Sequence, residues 1–206
     1  MVLDRFRGLA DPILLPLAER LRAANPNHLS WLAFLVAVGA GAALFVATPG
    51  FLLLAILLIF LNALLDALDG KVAKLTGRDS PRGDFLDHVL DRYADLFMIG
   101  GVALGGYGDP LIGLFAIIGV FLASYMGTQA QALGLGRDYA GVMGRADRLV
   151  ILFLAAWIQL LADPSGLARG PIPYTPLTLA LVLFAVLGQF TAIQRGISAW
   201  RRLGAH

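Results

Sequence analysis

Residues 51–91 read FLLLAILLIFLNALLDALDGKVAKLTGRDSPRGDFLDHVLD, and the order of residue types in this stretch decides the fold. From Phe51 to Leu65 the run is apolar except for Asn62. Asp66 follows directly, then Asp69, Asp87 and Asp91, and beyond Asp95 a second apolar run extends from Leu96 to Leu104. A carboxylate at membrane depth costs about 2.5–3.5 kcal/mol on insertion scales. Four of them brought together also repel one another. A divalent cation among them removes both penalties. The stretch therefore predicts two membrane helices, antiparallel across the short polar loop 76–83, with an acid cluster at their shared end.

The rest of the chain extends this reading. Of 206 residues, 58% are hydrophobic, and the mean hydropathy is +0.76, which excludes an ordinary soluble domain. The sequence contains no cysteine, so neither disulfides nor thiolate metal sites are available. A small net charge of +2 suits an edge facing anionic lipid rather than a nucleic-acid partner. The start lacks the layout of a cleavable signal peptide. An amphipathic helix is expected over 3–24, lying along the interface despite Pro12 and Pro16. Spans are expected at about 29–47, 51–75, 84–105, 111–134, 146–162 and 177–200. The fold class is thus all-α and polytopic, with six transmembrane helices behind an N-terminal interfacial helix. Residues 1–28 are expected to form the interfacial helix and its entry turn, and 29–206 a six-helix transmembrane domain that holds the acid cluster. Six spans put both termini on one side, together with the acid cluster and every Lys and Arg except Arg169. By the positive-inside rule that side is cytoplasmic, in the cell membrane.

Positions three or four apart share a helix face. Asp66, Asp69 and Gly70 point one way on one helix, and Gly83, Asp87 and Asp91 do so on the next. Four hard oxygen donors suit Mg²⁺ or Mn²⁺, with two ions expected. Gly70 and Gly83 leave room for a flat or phosphorylated ligand against the backbone. Intramembrane acids also occur in cation-coupled transporters, but those spread their acids across the membrane and carry repeats.

The spacing Asp66-x-x-Asp69-Gly70-x-x-Ala73-Lys74, eight residues, Gly83-x-x-x-Asp87-x-x-x-Asp91 resembles the signature of the CDP-alcohol phosphotransferases. Lys74 stands where that family usually has Arg, keeping the charge and losing the bidentate fork. The resemblance implies transfer of a phosphatidyl- or archaetidyl-type group from a CDP-linked lipid to an alcohol, with release of CMP, in phospholipid biosynthesis. It implies Asp66, Asp69, Asp87 and Asp91 as metal ligands and Asp91 as general base. It implies Asn27, Asp69, Gly70, Ala73, Lys74, Arg78 and Gly83 as CDP-binding positions, and a homodimer as the assembly.

For the acceptor, Gln129, Arg145, Arg148 and Arg195 are the candidates, with Arg137 on the same side. Arginine fits phosphate oxygens, which favours a phosphorylated polyol such as glycerol phosphate. Inositol phosphate, serine and other alcohols are the alternatives. In the inositol-phosphate branch of the family a S-Y-x-R-A-[KR]-A pattern is typical. Here Ser124 and Tyr125 match, but Gly127 and Gln129 occupy the two basic positions. Asp95 is expected to pair with Arg92, and His88 to face away from the ligands.

Overall fold

A computed structural model describes residues 11–136, 141–163 and 175–204. These contain seven helices: α1 (Asp11–Arg20), α2 (Pro26–Val46), α3 (Pro49–Thr76), α4 (Pro81–Leu104), α5 (Pro110–Ala132), α6 (Arg145–Ala162) and α7 (Pro176–Leu203). No strand occurs among the described residues. Residues 3–10 of the expected N-terminal helix, and Arg137 and Arg169, lie outside them.

Five helices start by one device. Asn25, Thr48, Ser80, Asp109 and Thr175 are N-caps whose side chains accept a hydrogen bond from an amide two or three residues on. In each case proline follows directly. The cap satisfies an orphan N–H, and proline presets the helical φ where its missing N–H costs nothing. Helix α6 opens differently. The Asp147 carboxylate accepts from the Gly144 amide at 2.7 Å, which fixes the first turn that carries Arg145 and Arg148.

Helices α2, α3, α5 and α7 are long and apolar enough to cross a membrane. The two other expected spans fall short of that standard for a chemical reason. Helix α4 carries Asp84, Asp87, Asp91, Arg92 and Asp95 in its first fifteen residues. Helix α6 has 18 residues and opens with Arg145, Asp147 and Arg148. Both spend apolar length on the charged end of the molecule.

Packing follows a membrane pattern. Small side chains such as Ala37, Ala40, Ala55 and Ala156 fill the interior, while Leu35, Leu57, Phe60 and Val186 face outward. Without a hydrophobic drive between helices, small residues let backbones approach. Helices α2 and α4 meet where a Cβ on Gly101 would strike the Gly41 backbone. Helices α5 and α7 meet at Gly119 and Gly188, where a Cβ on Gly188 would lie 2.8 Å from the Gly119 carbonyl carbon. Gly105 likewise abuts the carbonyls of Leu44 and Phe45. Gly101 and Gly105 are thus used within one protomer, and do not argue for a dimer.

Helix α1 lies on α3: Ala18 packs with Leu68 and Val72, and Lys71 Nζ meets Asp11 Oδ1 at 2.6 Å. Away from the acids, the buried Tyr107 donates to Asp163 at 2.8 Å. Thr175 and Thr178 donate to the Tyr107 carbonyl at 2.9 and 2.5 Å. This ties the α4–α5 turn to the start of α7.

Candidate active site

Three helix ends build the acidic centre. Helix α3 supplies Asp66 and Asp69 one turn apart. Helix α4, returning after the Gly77 turn, supplies Asp87 and Asp91. The turn needs glycine, since Gly77 has φ +63°. Helix α6 brings two arginines from its first turn.

Asp69 is the most enclosed of the four acids, 6% exposed. Ser30 Oγ donates to its Oδ2 at 2.6 Å, which orients the carboxylate from α2. Asp87 and Asp66 lie within electrostatic reach of it. Arg145 bridges the two helices: its Nη2 is 3.2 Å from Asp66 Oδ1, and its Nη1 meets Asp91 Oδ1. Asp87, His88 and Asp91 each offer a ligand atom within 4.8 Å of the others. All four signature acids therefore gather at one end. The chemistry of the set suits a hard divalent cation: Asp87 and Asp91 offer carboxylate oxygens close enough for one ion, and Asp66 and Asp69 add hard oxygen donors from α3.

His88 departs from expectation. Rather than facing away, it lies beside Asp87, with Nδ1 3.6 Å from Asp87 Oδ2 and Nε2 3.3 Å from Asp84 Oδ1. Asp95 makes the expected contact with Arg92, at 3.3 Å, and a closer one with Arg148, at 2.6 Å. Neither Ser30 nor the Asp95–Arg148 pair was read from the sequence. The signal for the second was available: a carboxylate one turn beyond Asp91, deep in apolar sequence, requires a buried cation.

The expected CDP-binding positions gather beside the acids. A Cβ on Gly83 would lie 3.3 Å from Asn27 Oδ1, so the start of α2 adjoins the start of α4. Gly70 is exposed, with nothing within 4 Å of where its Cβ would be. Ala73 is half-buried and Lys74 exposed. Arg78 Nη1 donates to the Ala24 carbonyl at 3.2 Å, joining the α3–α4 turn to the segment before α2.

The acceptor candidates divide. Arg145 touches the acids directly, and Arg148 reaches α4 through Asp95. Arg195 is buried, its Nη1 donating to the Ala123 carbonyl at 2.5 Å. Gln129 does not join them. It is exposed, roughly 200° around α5 from the buried Gly127 at 100° per residue. Its two-residue offset from Gly127 turns it away from the core-facing stripe of Ala123, Gly127 and Ala130.

Comparison with known proteins identifies the family. The profile of the CDP-alcohol phosphatidyltransferase family matches residues 23–199. Archaetidylinositol phosphate synthase of Methanothermobacter thermautotrophicus is 32% identical, over 98% of this chain and 96% of that protein. Phosphatidylinositol phosphate synthase of Cutibacterium acnes is 32% identical, over 97% of this chain and 98% of that protein. Two solved structures of Mycobacterium tuberculosis phosphatidylinositol phosphate synthase share the fold. One, with CDP-DAG bound, has a TM-score of 0.74 at 26% identity, covering 92% of this chain and 94% of that one. The other, in complex with manganese and citrate, has a TM-score of 0.73 at 25% identity, covering 91% and 88%. With its signature acids gathered at one helical end and its relatives matched nearly end to end, this chain belongs to the CDP-alcohol phosphatidyltransferase family and is a CDP-alcohol phosphotransferase.

Proposed function

We propose that the enzyme transfers the phosphatidyl- or archaetidyl-type group of a CDP-linked lipid to inositol phosphate, releasing CMP. The observation that carries this is the near full-length similarity to two synthases named for inositol phosphate lipids, one archaeal and one bacterial. It replaces glycerol phosphate, the acceptor favoured on the arginines alone. Arginines report a phosphate and are silent about the polyol attached to it. Gly127 and Gln129 stand where basic residues are typical of the inositol branch, so Arg145, Arg148 and Arg195 would carry the phosphate here.

In this reading Asp66, Asp69, Asp87 and Asp91 hold Mg²⁺ or Mn²⁺, in two ions. Bound there, the metal would neutralise charge on the pyrophosphate. Asn27, Asp69, Gly70, Ala73, Lys74, Arg78 and Gly83 receive the CDP moiety; the open face at Gly70 leaves space for it. Asp91 accepts the proton of the acceptor hydroxyl as that oxygen attacks the β-phosphorus. The bond from the β-phosphorus to the CMP oxygen breaks, and CMP departs with the negative charge. Lipid chains remain among the outward-facing apolar side chains. Helices α2 to α7 all cross the cell membrane, α1 lies along its surface, and the site opens to the cytoplasm.

The test is CMP release by the purified protein with Mn²⁺ or Mg²⁺. CDP-archaeol and CDP-diacylglycerol are each paired with inositol phosphate, glycerol phosphate, serine and inositol. Release with inositol phosphate, lost in Asp91→Asn, is the expected result. Release with another alcohol alone would overturn the acceptor assignment.

A further inference from the structure

Asp95 is neither a metal ligand nor the general base of the proposed mechanism, yet it is only 3% exposed. A carboxylate buried that deeply has to be paired. Its Oδ2 serves two guanidiniums, Arg148 Nη2 at 2.6 Å and Arg92 Nη2 at 3.3 Å. Arg92 Nη2 also lies 3.8 Å from Asp91 Oδ2 and its side chain is 24% exposed, so Arg148 is the enclosed guanidinium whose ion pair is with Asp95.

Arg148 is 6% exposed, and its Nε is buried with no hydrogen-bond partner. Buried polar groups are nearly always satisfied, and an orphaned charged donor marks where an acceptor is due. Arg148 stands one turn along α6 from Arg145, and Asp95 one turn along α4 from Asp91. The pairs Arg145–Asp91 and Arg148–Asp95 therefore form two rungs between the same two helices. The first rung ends on the acid assigned to take the acceptor's proton. The second holds a guanidinium by one nitrogen and leaves Nε buried without a partner.

We propose that Asp95 is the positioning residue of the acceptor-phosphate site. It grips Arg148 through Nη2, so that the unpartnered Nε–H receives the phosphate of the acceptor, one helical turn from Asp91. This rests on the reading of Arg148 as an acceptor-phosphate residue. Asparagine at position 95 would keep the shape and lose the charge-assisted bond, freeing Arg148 to turn and leaving it to repel Arg92.

Steady-state kinetics of the full-length enzyme with CDP-archaeol and inositol phosphate test it, alongside calorimetric CDP binding. Asp95→Asn should raise KM for inositol phosphate about tenfold or more, with KM for CDP-archaeol and CDP affinity within about twofold of the wild type. Arg148→Ala should do the same. The double variant should be no worse than Arg148→Ala, because the two act through one contact. Asp95→Glu, which keeps the charge, should recover part of the loss. If Asp95→Asn does not fold, as absent CDP binding would reveal, Asp95→Glu carries the test: its displaced carboxylate should still raise the acceptor KM alone. A raised acceptor KM in Arg148→Ala with none in the Asp95 variants overturns the positioning role. So does an Asp95→Asn defect shared equally between both substrates. An unchanged acceptor KM in Arg148→Ala removes the reading of Arg148 itself, and the proposal with it.

Discussion

At the scale of single residues, the acid cluster is governed by which cation sits among the carboxylates. Arg145 engages oxygens of Asp66 and Asp91, the carboxylates that metal binding would also use. One guanidinium and a divalent ion cannot both take full advantage of the same oxygens. Arg145→Ala should therefore tighten Mn²⁺ binding several-fold in calorimetry without substrates, while Asp66→Asn weakens it. Equal or weaker Mn²⁺ binding in Arg145→Ala would mean that the arginine supports the ion rather than competing with it. Asp91 has a second task as proton acceptor. Asp91→Asn should lower kcat by about 10²–10⁴-fold, the usual contribution of a general base. CDP binding should survive, because its candidate positions lie on α2, α3, the α3–α4 turn and the start of α4. Normal turnover in Asp91→Asn would assign the proton to another group. The four signature acids were legible because their spacing repeats at helical intervals inside apolar sequence. Ser30 was not, since it sits in another helix and nothing local marks a serine as the partner of Asp69. His88 was misread because interface histidines usually face solvent. The paired contacts to Asp84 and Asp87 only exist once α4 is wound.

At the scale of elements, helix starts were the most readable feature and helix crossings the least. Five pairs of a capping residue and proline mark starts: Asn25-Pro26, Thr48-Pro49, Ser80-Pro81, Asp109-Pro110 and Thr175-Pro176. The expected spans agree with the helices to within a few residues for that reason. Crossings depend on which glycines face which helix, and Gly100 and Gly101 are indistinguishable in sequence. In the fold they differ completely. Gly101 lies against the Gly41 backbone, whereas a Cβ on Gly100 would meet nothing within 4 Å. Gly101→Ala should push α2 from α4 and lower stability by about 1–3 kcal/mol, the usual cost of overpacking. Gly100→Ala should be neutral or slightly stabilising, since alanine is the better helix former. Thermal unfolding of both variants in the same detergent gives the comparison. Equal melting temperatures would show that α2 and α4 do not meet there. Because α2 carries Ser30 and Asn27 while α4 carries Asp87 and Asp91, the Gly101 variant should lose CDP affinity as well.

At the scale of the whole molecule, the open quantity is how many helices cross the bilayer. Four pass on apolarity; six are expected from charge placement. The two counts differ in where they put the loop after α5. If α2, α3, α5 and α7 alone crossed, the α3–α4 turn and the α5–α6 loop would face opposite sides. Arg145 could not then reach Asp66 and Asp91, which belong to the end of α3 next to that turn. The contacts between α6 and the acids require the two loops to share a side, as the proposed six crossings would place them. The sequence has no cysteine, so single cysteines can be read without background. Gly50, Asp79 and Ala132 are all exposed, at the α2–α3 turn, the α3–α4 turn and the end of α5. On intact cells a membrane-impermeant maleimide should label Gly50→Cys and spare Asp79→Cys and Ala132→Cys. After permeabilisation all three should react. Labelling of Ala132→Cys on intact cells would leave four crossings and separate α6 from the acids. Labelling of Asp79→Cys in place of Gly50→Cys would invert the molecule and turn the acid cluster away from the cytoplasm, where CDP-linked substrates and CMP are handled as charged, soluble headgroups.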